Sequence, residues 1–496
     1  MRWTLVLFIF VLILSSLLRI EGGITKSFAF TYDVGRDLLE LQNIASTGKL
    51  PLIGQTTGLP GLFYGPWWYY ALFPAFLLSL GNPVGIALFM SLTGVVTVCL
   101  GYILGKRIEN ANFGLLFASF LGLSPVMVGI ATQIWNPNLA PLYVMFFFFC
   151  FYKIIDTSNK KKSLFWFAFL GVLFGLIIDS EIVFGMLFSL GIFLSFLFLF
   201  KKTYEIKNYS FIAIGFFIVL LPRIIFELRH NFLMTNSILS VLSNTLSHHG
   251  GKISSFKPLV AFISLEKLWN YTLARDNVLF GVLLLLGTFL GVVFFYKKTH
   301  GNKKMFLQMI LFILLTFFLG LSLFPGDIWG HYTVGIPVLY IFVFSFAIYK
   351  TIMYFKQTKI FVIILVVVLL IINLNPIQLI DTIKNPYWEG NVSLYRNQIG
   401  VVDYIYKKAN KAKFNYAVYT PPIYDYPYQY IFLWYGNKTY GYVPSKEKAS
   451  LFFLIMEPDK QNPSRLQAWY KVRQNDGQIQ ENKALPGEIS VQTRTH

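Results

Sequence analysis

Long uncharged apolar runs recur along the chain, Phe10–Leu18, Ile182–Phe200 and Phe361–Ile372 among them, each bounded by short polar or basic segments. A run near ~20 apolar residues matches the ~30 Å hydrocarbon layer of a bilayer. The pattern predicts eleven membrane spans, at about 4–20, 84–105, 113–130, 139–152, 164–178, 182–200, 210–225, 277–296, 305–324, 333–349 and 359–375. As one helix, residues 164–200 would be ~55 Å long at ~1.5 Å per residue, too long for one crossing. Asp179-Ser180-Glu181 is therefore expected to be a tight hairpin between two spans.

Charge orients the spans. Lys106/Arg107, Lys153 with Lys160–Lys162, Lys201/Lys202 with Lys207, Lys297/Lys298 with Lys303/Lys304, and Lys350/Lys356/Lys359 all fall in alternate connections. The opposite short loops, 131–138, 179–181 and 325–332, contain neither Lys nor Arg. Basic loops stay on the cytoplasmic side. The N-terminus is then inside, and segments 21–83, 226–276 and the tail from 376 are outside. A missed or merged span would invert the parity of every later loop. The first apolar stretch follows Arg2 and lacks a small-x-small cleavage signature, so it is expected to remain as the first helix.

The outer segments have their own patterns. Residues 33–47 fit a helix, Gly54–Gly61 a turn, and Phe63–Tyr70 an aromatic run of the kind found at headgroup level. Thr235–Ser255 is rich in Ser, Asn and His, and the chain then reads as helix up to Arg275. The tail mixes helix-like pieces (Leu394–Ala412, Ser464–Gln474) with strand-like runs (Phe414–Tyr419, Leu451–Met456). The expected fold class is an all-α polytopic membrane bundle over residues 1–376 with a small extracytoplasmic α/β domain over 377–496, within ordinary domain sizes.

Composition agrees. The 496 residues are 55% hydrophobic and 13% charged, too little charge to cover a soluble protein of this size. The net charge of +19 sits largely in the cytoplasmic clusters, which argues against a nucleic-acid partner. Cys99 and Cys150 lie in apolar runs and supply no disulfide framework or metal set.

Ionisable groups near hydrocarbon are costly, so those at the outer ends of the spans are the candidates for chemistry. They are Asp33, Arg36, Asp37, Glu40, Asn136, Asn138, Asp179, Glu181, Arg223, Glu227, Arg229, His230, Asp327, His331 and Tyr332, and they could line one outward cavity. Asp33, Arg36, Asp37 and Glu40 share one helix face. That face is either a solvated amphipathic surface with an Asp33–Arg36 pair or part of a site. His331-Tyr332 reads as an interfacial anchor or as a headgroup contact. His248-His249-Gly250-Gly251 reads as a solvated loop rather than a metal site.

The first outer loop, Asp33-Val34-Gly35-Arg36, then Gly48, Pro51 and Gly54, then aromatics around Pro66, leads through Pro83-Val84-Gly85 to a span ending Gly105-Lys106-Arg107. It resembles the GT-C fold glycosyltransferases, especially the protein O-mannosyltransferase and aminoarabinose transferase group. The architecture compares over about residues 1–350 and the motifs over about 30–110. The resemblance implies a transferase that takes a sugar from a polyprenyl-phosphate or diphosphate donor on the outer face. It implies Asp33 as the catalytic base and Arg36 as a donor-phosphate contact, with Arg223, His331 and Tyr332 assisting and Arg229 and Arg275 as weaker candidates. Asp37, Asn138, Asp179 and Glu181 would bind substrate or a divalent cation. Three positions depart from the group: Val34 replaces a second acid, Gly65-Pro66 a Lys-Pro pair, and Asn138 a frequent Asp. The partners implied are the lipid-linked donor, membrane lipid, and an acceptor that is a protein, lipid or glycan. A transporter or lipid flippase is the main alternative. Such proteins place polar groups near the bilayer midplane, whereas here the middles of the spans are nearly clean.

Overall fold

The computed structural model describes residues 2–156, 160–199, 206–248, 256–375, 391–421 and 424–496. In chain order the helices of the bundle are α1 (Arg2–Ile24), α2 (Tyr32–Thr47), α3 (Trp67–Leu78), α4 (Pro83–Ile108), α5 (Ala111–Leu123), α6 (Pro125–Thr132), α7 (Ala140–Asp156), α8 (Lys160–Ser180), α9 (Ile182–Leu199), α10 (Ile206–Arg229), α11 (Leu233–His248), α12 (Pro258–Ala274), α13 (Val278–Tyr296), α14 (Gly301–Ser322), α15 (Ile336–Tyr354) and α16 (Lys359–Leu374). All eleven expected spans fall on these helices. Among the described residues, eight helices are long and apolar enough to cross a bilayer. The bent pair α5–α6 is apolar enough to count as a ninth if it is taken as one span, and α8 and α9 are shorter apolar helices.

The third expected span is broken rather than continuous, with a bend of 58° between α5 and α6. Pro125 cannot donate the backbone bond that would extend α5. The orphaned carbonyls at its end need donors, and a buried Arg19 from α1 supplies them. Its Nη1 donates to Gly122 O at 2.7 Å and its Nη2 to Leu121 O at 3.0 Å. Arg19 was not among the sequence candidates. It is a buried cation with a structural task, bonded to carbonyls at a helix end where the dipole favours it.

Residues from 391 onward form a compact unit on one end of the bundle. It contains α17 (Tyr395–Ala409), β1 (Phe414–Tyr419), α18 (Tyr426–Ile431) continuing into a wider π-helical segment (Phe432–Tyr440), β2 (Leu451–Met456), α19 (Pro463–Val472), β3 (Gln478–Leu485) and β4 (Ile489–Thr495). The sheet order is β1-β2-β4-β3, with β1 and β2 parallel and the other pairs antiparallel. β1 and β2 coincide with the expected strand-like runs. β3 was missed because it is a polar, mostly exposed edge strand with no apolar alternation to read.

The unit is fastened to the bundle by its backbone and by aromatic donors. Phe30 N donates to Ser393 O at 2.7 Å and Tyr395 N to Phe28 O at 3.1 Å. Tyr430 Oη donates to Gly81 O at 2.5 Å and Trp434 Nε1 to Leu80 O at 2.8 Å. Gly35 in α2 completes the seat, because a Cβ there would lie 2.4 Å from Pro427 N. We expect Gly35→Ala to lower stability by about 1–3 kcal/mol, the usual effect of overpacking. Thermal unfolding in detergent should show it, together with faster proteolysis of residues 391–496. The second half of the aromatic run opens α3, whose Trp68 and Tyr69 are buried in protein.

Candidate active site

α2 begins at Tyr32 and places Asp33 in its first turn, where a carboxylate suits the helix dipole. Arg36, one turn on, donates through Nη1 to Asp33 Oδ1 at 2.8 Å and through Nη2 to Asp37 Oδ1 at 2.9 Å. Asp37 is buried. Its Oδ2 also accepts from Trp68 Nε1 at 2.7 Å and Gln55 Nε2 at 3.3 Å, and Tyr69 Oη donates to Oδ1 at 3.4 Å. Both Asp37 oxygens are thus engaged within the chain, one of them by Arg36. Burial holds the Asp33 carboxyl above the ordinary carboxylate range, with Arg36 pulling the other way. Glu40 is further along and half-buried, with Asn43 Nδ2 at 3.5 Å.

A second cluster sits at the hairpin between α8 and α9, which forms as expected. Asp179 Oδ1 accepts from Arg223 Nη2 of α10 at 2.8 Å, and its Oδ2 accepts from Trp67 N at 3.2 Å. Asn136 Nδ2 donates to Asp179 O at 3.2 Å. Gly65 makes this packing possible, since a Cβ there would fall 1.6 Å from Asp179 Oδ1 and 2.8 Å from Arg223 Nε. The Gly65-Pro66 departure therefore has a local cause. Glu181 accepts from Tyr64 Oη at 3.1 Å. Burial, then Glu181, Tyr332 and Asp33, raise the Tyr64 phenol, so Tyr64 lies within electrostatic reach of both clusters.

The remaining candidates divide. His331 packs edge-on against Trp135 with ring centroids 5.2 Å apart, and Tyr332 packs beside it. Asn138 is buried and donates to Gln133 O at 3.2 Å, which pins the chain after the broken span. Glu227 caps α11 through Met234 N and Thr235 N at 2.8 and 2.9 Å, and His230 stacks on Phe226. Arg229 and Asp327 are exposed. Arg275 donates to Asn373 O at 2.9 Å, at the end of α16. The single cavity expected for all these residues resolves into distinct groups. His249, Gly250 and Gly251 lie outside the described residues.

A cavity of about 520 Å³ opens between the bundle and the C-terminal unit. Asp33, Tyr32 and Thr31 line one side, Gln133 and Trp135 another, and Gln398, Thr420, Tyr424 and Glu457 the third. Glu457 is buried and accepts from Tyr428 Oη at 3.0 Å and Gln398 Nε2 at 3.4 Å. Burial pushes its carboxyl up to about 7 against those two bonds. Gln398 and Glu457 escaped the sequence reading because they become neighbours of Asp33 only through tertiary packing. A second, nearly all-apolar cavity of about 550 Å³ lies between α8, α9 and α10 and includes Ile178, next to Asp179.

Among the described residues no three His, Cys, Asp or Glu side chains converge. Asp33 and Asp179 each give one oxygen to an arginine.

No protein-family model matches the chain, and no curated protein matches it by sequence. Solved structures do match by fold. ArnT from Cupriavidus metallidurans bound to undecaprenyl phosphate superimposes with a TM-score of 0.56 at 11% identity, over 99% of this chain and 98% of that one. The Archaeoglobus fulgidus oligosaccharyltransferase AglB, in complex with an inhibitory peptide and a dolichol-phosphate, gives 0.52 at 11% identity over 86% of this chain. The chain spans 63% of that AglB and 61% of the same oligosaccharyltransferase with Zn and sulfate. The fold is GT-C, as the resemblance implied.

Proposed function

We propose that this GT-C chain is a glycosyltransferase that moves a sugar from a polyprenyl-phosphate or diphosphate donor to an acceptor, with Asp33 as its general base. The observation that carries the reading is Asp33, a half-buried carboxylate on the wall of a cavity with a guanidinium 2.8 Å behind it. A hydroxyl is a poor nucleophile until a base takes its proton as it attacks. The acceptor oxygen forms its bond to the sugar's anomeric carbon as the bond from that carbon to the phosphate oxygen breaks. The proton passes to Asp33, and the electron pair leaves on the lipid phosphate. Arg36 stabilises that developing charge. Arg223 and His331 stand as further groups on the phosphate side, with Tyr332 against the sugar phosphate. The apolar cavity beside Ile178 suits the polyprenyl tail. By the positive-inside rule the site faces the outer side of the cytoplasmic membrane and the N-terminus the cytoplasm. The clustering of polar groups at span ends also favours this reading over a transporter.

The pH dependence tests the base. A base works only when ionised, so activity is lost as pH falls through its pKa. Burial raises the Asp33 pKa, so the acid limb of transfer lies above the ordinary carboxylate range. Arg36 lowers that pKa, so Arg36→Met should move the acid limb further up and weaken donor binding together. A limb that stays in place in Arg36→Met would contradict the assignment.

A further inference from the structure

The cavity beside Asp33 has an asymmetric chemistry that bears on the acceptor. Its lining contains two carboxyl groups, Asp33 and Glu457, and among the described residues no Lys, Arg or His. Arg36 and Arg223 do not line it. Asp33 thus lines the cavity while the arginine paired with it does not.

Two further features point to a ligand. Gln398 is buried, yet its Oε1 has no hydrogen-bond partner while its Nε2 is held by Glu457. A buried acceptor without a donor is unfavourable, so a ligand hydroxyl would be welcome there. The cavity also carries aromatic faces, Trp135 on one side and the pair Tyr32–Tyr424 on another, the latter with ring centroids 6.1 Å apart. Flat apolar faces interleaved with amide, hydroxyl and carboxyl groups match a sugar ring, which has C–H faces and an equatorial rim of hydroxyls.

We propose that the acceptor is an uncharged, hydroxyl-rich carbohydrate bound in this cavity, with Gln398 and Glu457 of the C-terminal unit reading its hydroxyls. The proposal rests on the transferase reading and adds the substrate class to it. An anionic acceptor is disfavoured by the same geometry, because a phosphate would face two carboxyl groups and no cation. Repulsion of the wrong ligand is as much a source of specificity as attraction of the right one. In the transfer step, the hydroxyl that attacks is the one presented to Asp33, and its proton is taken there. The C-terminal unit is then a wall of the active site, which explains why it is seated so tightly on α2.

Saturation-transfer NMR on the full-length protein in detergent tests this without relying on turnover. The probes are methyl glycosides of common hexoses and the corresponding hexose 6-phosphates. The variants are Gln398→Leu and Tyr424→Ala, the latter at an exposed position chosen to leave folding intact. The expected result is binding of at least one neutral glycoside, weakened about tenfold or more in both variants, a difference of ~1.4 kcal/mol, with no binding of the phosphates. Binding of a hexose phosphate as tight as that of its methyl glycoside would overturn the proposal. So would glycoside binding unchanged in both variants, or no glycoside binding at all. Cleavage of a polyprenyl-phosphate sugar is measured in parallel. Cleavage without glycoside binding overturns the acceptor assignment alone. Glycoside binding without cleavage of any donor supports the cavity's specificity and overturns the transferase reading beneath it.

Discussion

Replacing Asp33 with Asn is expected to lower sugar transfer by about 10²–10⁴-fold, the usual contribution of a positioned general base, while the donor still binds. Asn keeps the shape of the side chain but cannot take a proton. Arg36 would retain its second partner, because Asp37 holds it at 2.9 Å through an oxygen that Asp33 does not share. The phosphate contact should therefore survive the change, and the loss should appear in kcat rather than in donor affinity. Single-turnover rates in proteoliposomes, beside direct donor-binding measurements, separate the two. If kcat is unchanged and only donor affinity falls, Asp33 holds the donor and the base lies elsewhere.

The largest effect on stability should come from the Asp179–Arg223 pair. Asp179→Ala leaves a mostly buried guanidinium without its carboxylate and also releases Trp67 N. Breaking one side of a buried ion pair destabilises by about 3–5 kcal/mol, whereas replacing both partners with apolar groups is far milder. The double variant Asp179→Ala/Arg223→Met should thus unfold at a higher temperature than Asp179→Ala alone. Thermal unfolding in nanodiscs measures both. A double variant no more stable than the single would mean that Arg223 does not depend on Asp179. The pair also fixes Gly65 and α3, so the single variant should lose activity through displacement of Trp68, which holds Asp37.

Much of the bundle was legible in the sequence because hydrophobic runs and basic clusters are local signals. The break at Ser124–Pro125 was not. It depends on Arg19 meeting carbonyls from a distant part of the chain, and nothing near either residue announces the contact. The strands β1 and β2 could be read from their apolar runs, but β3 faces solvent and resembles a polar loop. In the site, the Asp33–Arg36 pair followed from helical spacing. The other contacts of Asp37 did not, since Gln55 and Trp68 reach it from the next loop and from α3. The far wall of the cavity was the least accessible. Gln398 and Glu457 sit on separate elements of the C-terminal unit, and they meet Asp33 only because that unit docks against α2, where Gly35 leaves room for Pro427.

Reaction of a lipid-linked sugar at Asp33 can be followed from the donor itself. The most direct measurement reconstitutes the full chain in proteoliposomes with a panel of radiolabelled polyprenyl-phosphate sugars and follows label leaving the lipid. Wild-type protein should release label from at least one donor, and Asp33→Asn, at equal folded amount, should release almost none. Label retained on every donor by wild-type protein, or equal release by Asp33→Asn, would contradict it.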